Sequence, residues 1–178
     1  MLDHITVRSD GPTLDAHAHY TASYRANAAC VRELARLHEE IAASLTDARV
    51  LADANVLVEP VVRRSPARCL VQLGPVALTV AWLQRAQGTV ADGELLVVVW
   101  RGEVAVRTPQ GFERAHQQSG ASSATALWES VLVVSAHSET DWAWTPADAS
   151  GDALSSAALA LRCVERLRAA YAECARER

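Results

Sequence analysis

The chain contains no lysine; all 17 of its basic side chains are arginine. Together with the abundant alanine, this reads as a compositional bias rather than an adaptation to a ligand. With 21 acidic residues the formal charge is −4, which leaves no electrostatic footprint for a nucleic-acid backbone. No apolar run approaches the ~20 residues of a membrane helix. The opening MLDHITVRSDGP is too polar for a secretory leader. Cytoplasmic residence without a membrane partner is therefore expected. None of the four cysteines, Cys30, Cys69, Cys163 and Cys174, forms a CxxC pair, which argues against a zinc ribbon or a thioredoxin-type site. Buried free thiols are the expectation. A Gly-rich phosphate loop, a GxSxG elbow and an HExxH helix are all missing. No cofactor, no metal and no coherent catalytic set is expected.

What the chain does have is apolar material, half of its 178 residues, enough for one domain with a real core. The densest part runs from Leu70 to Val106. Val76, Leu78, Val80 and Trp82 alternate with Ala77, Thr79, Ala81 and Leu83, the period of a strand with one large apolar face. Glu94 to Trp100 is apolar on both sides and rich in valine, as in a buried central strand. Arg101-Gly102 predicts a hairpin into a short strand, Glu103 to Val106. Further strands are predicted at His4 to Arg8, Arg49 to Glu59, Cys69 to Leu73, Ala126 to Ala136 and Asp141 to Trp144. Pro60 and Arg63-Arg64-Ser65-Pro66 predict an edge or a turn.

Two stretches carry helical spacing. From about Leu14 to Leu45, Tyr20, Tyr24, Asn27, Val31, Leu34, His38, Ile41 and Leu45 form one stripe, with Thr13 or Asp15 as its cap. The rhythm is close to a heptad, compatible with a helix-on-helix contact between copies. From about Ala153 to Ala175, Leu154, Ala157, Leu161, Val164, Leu167, Tyr171 and Cys174 repeat the pattern, with caps in Ser150-Gly151-Asp152. Residues 108–125, rich in Gly, Ser and Gln around Phe112, read as a long connection that is either mobile or functional. The fold class is thus α+β: an antiparallel sheet of about five to seven strands covered on one face by a long N-terminal helix and a C-terminal helix. This order of elements resembles the helix-grip arrangement of Bet v 1-type proteins, a likeness of topology alone.

Asp15-Ala16-His17-Ala18-His19 resembles the opening motif of metal-dependent amidohydrolases. That family's barrel takes roughly 250 residues. On a helix, His17 and His19 would point about 200° apart. A polar helix start is the simpler reading. His116 and His137 read as solvated loop histidines. Arg63, Arg64 and Arg68 form a basic cluster suited to a phosphate or carboxylate, or simply a charged turn. All five tryptophans fall on predicted strands and are expected in the core. Trp142 and Trp144, which share a face among polar neighbours, are the best candidates for an exposed pair. Trp142, Trp144, Arg63, Arg64, Arg68 and Phe112 are the expected partner or ligand contacts. The function expected is a non-catalytic binding or assembly module acting through protein–protein contacts, with a protein partner or a second copy. The alternative is a small-molecule-binding or enzymatic domain with a pocket between sheet and helices.

Overall fold

A computed structural model describes residues 13–46, 58–85, 88–104, 124–148 and 151–177. Its elements are α1 (Thr13–Thr21), α2 (Tyr24–Thr46), β1 (Val61–Ser65), β2 (Arg68–Leu73), β3 (Val76–Leu83), a 3₁₀ turn at Val90–Asp92, β4 (Glu94–Arg101), β5 (Thr125–Ala136), β6 (Trp142–Pro146) and α3 (Ser156–Arg176). The six strands form one antiparallel sheet in the order β1-β2-β3-β4-β5-β6. The α+β architecture expected from the sequence is the one found. No helix among the described residues is long and apolar enough to cross a membrane.

Alternation places the core. Val71, Leu73, Val76, Leu78, Val80, Leu95, Val97, Val99, Leu132 and Val134 are buried together with Leu34, Leu37 and Ile41 of α2 and Leu159, Val164 and Leu167 of α3. A buried Val or Leu contributes about 1.5–3 kcal/mol, so this shared layer is the main source of stability. The other face holds Leu70, Ala77, Thr79, Val98 and Trp100, and the Trp100 indole donates to Thr79 Oγ1 at 3.1 Å. Where the chain enters β4, Gly93 lies under Trp82. A Cβ there would stand 2.1 Å from the indole, so the close approach requires glycine.

The single long N-terminal helix is in fact two. Thr21 Oγ1 donates back to His17 O at 3.0 Å, and Ser23 Oγ accepts from Ala26 N at 3.2 Å, so Ser23 starts a new helix. Hydroxyls compete with the helical ladder, which is why they collect at such boundaries. The stripe is also corrected in its first half. Tyr24 and Val31 are 86% and 59% exposed, and Ala26, Ala29 and Cys30 take the inner positions. A seven-residue rhythm drifts by about 20° per repeat on a straight helix.

The hairpin expected at Arg101-Gly102 does not form. Gly102 adopts φ +105°, its N–H donates to Pro75 O at 2.7 Å, and Glu103 and Val104 leave the sheet. The Gln72 amide holds this exit by donating to Gly102 O and accepting from Val104 N. Thr125, expected in the loop, opens β5, and β5 is the strand that pairs with β4. The last helix starts at Ser156, later than expected, with Ser155 capping Ala158 N. Leu154 is held instead by β6. The strands expected at His4 to Arg8 and over 49–57 lie outside the described residues, as do 108–123; Val58 to Pro60 are not in a strand.

Candidate functional site

Trp142 and Trp144 share a face, but it is the face turned toward the core. Trp144 is fully buried and Trp142 half-buried, so they are not an exposed pair. Their rings meet edge-on at 5.8 Å, and Trp82 meets Trp144 at 6.0 Å from the other side. Aromatic burial of this size outweighs the polar neighbours that suggested exposure. The Trp144 indole N–H donates to Ser156 Oγ at 3.0 Å, and Ser156 donates in turn to Glu33 Oε2 at 2.6 Å. A buried polar group thus reaches partly exposed Glu33 through one hydroxyl, and the chain ties β6, α3 and α2 together.

The histidines of the DAHAH string separate. His17 donates from Nδ1 to Ala136 O at 2.8 Å and sits edge-on to His137 at 5.3 Å, whereas His19 is exposed. Beside them an open groove of about 430 Å³ is lined by Tyr20, Arg25, His137, Ser138, Glu139 and Thr140. The Tyr20 hydroxyl is buried there without a hydrogen-bond partner among the described residues, and burial, with Glu139 second, raises its pKa. Glu139 pairs with Arg32 at 3.0 Å. Ser138 Oγ accepts from Asp141 N at 3.1 Å, so its hydroxyl serves the β5–β6 turn. This cluster fastens α1 to the turn. Among the described residues no three His, Cys, Asp or Glu side chains converge as a metal site.

The four thiols are buried and unpaired. Burial pushes Cys30 and Cys163 up to about 12 and Cys69 to about 11, so they remain protonated and unreactive. His38 is buried too, and its Nε2 has no hydrogen-bond partner among the described residues. Burial, reinforced by the positive charge of Arg64, lowers its pKa to about 4.

The arginine cluster is divided by the pleat. Arg63 pairs in register with Leu70 and Ser65 with Arg68, so Arg63 and Arg68 lie on the face away from the core. Arg64 pairs with Cys69 on the helix side, where its charge reaches His38. All three are exposed. Arg63 and Arg64 sit on the edge strand β1, and among the described residues nothing pairs with its free side; Arg68 opens β2 beside it. Next to it, between α2 and the β1–β2 turn, runs an open groove of about 500 Å³ with Val31, Leu34, Pro66 and Trp82 in its walls. The sequence alone groups the three arginines as one cluster; the split of Arg63 from Arg64 appears only with β1 formed as a strand, and the groove had no sequence signal. Phe112 lies outside the described residues.

Comparison with family models, with curated proteins and with solved structures found no significant match to this chain.

Proposed function

We propose that this chain is a non-catalytic binding or assembly module that acts through protein–protein contacts and is oligomeric. The observation that carries the reading is where apolar surface remains uncovered. Among the described residues seven large apolar side chains are exposed; one of them, Val31, lines the groove between α2 and the β1–β2 turn, and another, Tyr24, lies two turns earlier on the same helix. Exposed apolar residues scattered singly are ordinary, but an exposed apolar pair on one helix beside an open groove walled by Leu34, Pro66 and Trp82 is a feature of contact surfaces. Fully buried Leu37, Leu78 and Leu95 fill the centre between sheet and helices; the alternative reading would use the open recess of about 470 Å³ that Leu132, Leu154, Leu159 and Arg162 line between β5, β6 and α3. Cytoplasmic residence belongs to the same reading and is supported by four unpaired cysteines.

Size-exclusion chromatography with light scattering, run over a range of concentrations, tests the proposal. The expected mass exceeds that of one 19.1 kDa chain. In the variant carrying Tyr24→Glu and Val31→Glu it should fall toward one chain. A clean monomer at every concentration, with no co-purifying partner, counts against the reading.

A further inference from the structure

The free edge of the sheet carries charge of one sign. Arg63, Arg64 and Arg68 have no carboxylate partner among the described residues, where the ion pairs are Arg32–Glu139 and Arg101–Glu177. Alternate residues of an outer strand aim their N–H and C=O groups away from the sheet, and such an edge is a template for one more strand. We propose that β1 receives an extended acidic segment of another protein, added to the six strands as a seventh. The proposal rests on the reading of the chain as a contact module and names the chemistry of its partner.

The pleat dictates a pattern for that segment. Arg63 shares the outer face with Leu70, and Arg64 shares the helix face with Cys69. Residues directly opposite on a new strand share those faces, with Cβ atoms about 4.5–5.5 Å apart. One carboxylate must therefore meet Arg63 on one side of the sheet, and its immediate neighbour must meet Arg64 on the other. The next two positions stand opposite Val62 and Val61 and are apolar. An antiparallel segment reads acid, acid, apolar, apolar. Arg68, diagonal to Arg63 on the outer face, extends the positive field.

Arginines on an edge strand also have a simpler use, the prevention of self-pairing. Two copies of β1 laid antiparallel would bring guanidinium groups together. The same repulsion favours a strand of opposite charge. The two roles differ in one respect: only a receiving edge gains affinity from carboxylates.

The test uses the isotope-labelled full chain and a short capped peptide with the repeat Glu-Glu-Val-Val. The control peptide has lysine in place of glutamate. The acidic peptide should bind, bind less well as salt rises, shift the amides of Val61–Ser65 and slow their exchange. The double change Arg63→Glu and Arg64→Glu should weaken it by roughly tenfold or more and admit the lysine peptide. Both sites are exposed, and a thermal melt confirms that the variant folds. The proposal is overturned if neither peptide binds, if both bind alike, or if the shifts fall elsewhere. It is equally overturned if the outward amides of β1 already resist exchange in the chain alone, because the edge is then occupied. If the peptides fail while light scattering still finds an assembly, this inference falls and the contact module stands. If the chain is also a clean monomer without a partner, both fall.

Discussion

The two edges of the sheet are built by opposite means. At β6, Trp144 and Leu154 exchange both backbone hydrogen bonds at 2.8 Å, and Ala147 N donates to Val131 O at 2.9 Å. The same strand sends Trp144 into the core, where Ser156 satisfies its indole. At β1, every residue except Val62 is exposed. One edge is closed by the chain itself and contributes to the core; the other is charged and, among the described residues, open. A sheet needs both its apolar face and its backbone groups covered, and here the covering stops short on one side. Substitutions at the two edges should therefore differ by an order of magnitude in their effect on stability.

The largest effect is expected at the closed edge. Trp144→Ala removes a fully buried aromatic ring and leaves Ser156 without its donor. We expect a loss of about 3–5 kcal/mol, read as a lowered denaturant midpoint. A loss below about 1 kcal/mol would mean that the side chain is not packed and would erase the contrast.

Next comes a pH dependence that links the open edge to the interior. His38 has its pKa lowered to about 4 by burial and, second, by Arg64, against an ordinary 6.5. Between those values the unfolded chain takes up a proton that the folded chain refuses, so stability rises with pH. It is fully present above about 6.5 and is lost as pH falls toward 4, by up to about 3 kcal/mol. His38→Leu should flatten that slope in urea melts taken at several pH values. Arg64→Ser should weaken it slightly, because the charge is the lesser cause. An unchanged slope in His38→Leu would place the acid sensitivity elsewhere.

A smaller effect tests the hydroxyl that joins the closed edge to α2. Ser156→Ala leaves the Trp144 N–H buried without an acceptor and Glu33 without its donor. The expected cost is about 1–3 kcal/mol, below that of removing the ring. The variant should also show a shifted tryptophan emission. If Ser156→Ala is as stable as the parent, the relay from Trp144 to Glu33 does not hold the edge.

Much of the closed architecture could be read from the residues. Val76–Leu83 alternates, Glu94–Trp100 is a short valine-rich run apolar on both sides, and they are β3 and most of β4. Leu34, His38, Ile41 and Leu45 keep helical spacing and are all buried. What escaped was information held between elements. The break at Ala22 depends on which hydroxyl wins a backbone partner, and the expected stripe ran straight through it. Glu103 to Val106 has strand alternation, yet Gly102 turns the chain away and Glu103 and Val104 are not in a strand. Trp142 and Trp144 plainly share a face, but pattern alone cannot say which face is the core. Among the candidate contacts, the split of Arg63 from Arg64 follows from period two once β1 is a strand rather than a turn. That β1 is the outer strand of the described sheet follows only from the strand order.

The smallest expected effect lies at β1 and matters because it is small. Arg63→Ser and Val61→Ser each alter an exposed side chain of an outer strand; neither forms an ion pair among the described residues, and neither belongs to the core. Such changes typically stay within about 0.5 kcal/mol. An urea titration of both variants should therefore overlay the parent, with an unchanged slope, since the surface exposed on unfolding is the same. If either variant loses more than about 1 kcal/mol, the side chain is buried by something in solution. Repeating the titration at several protein concentrations then identifies the cover. A loss that grows as the protein becomes more concentrated comes from a second copy, since association stabilises by mass action. A loss independent of concentration comes from the chain's own residues. Either result would move β1 from the open class to the closed one and remove the asymmetry between the edges.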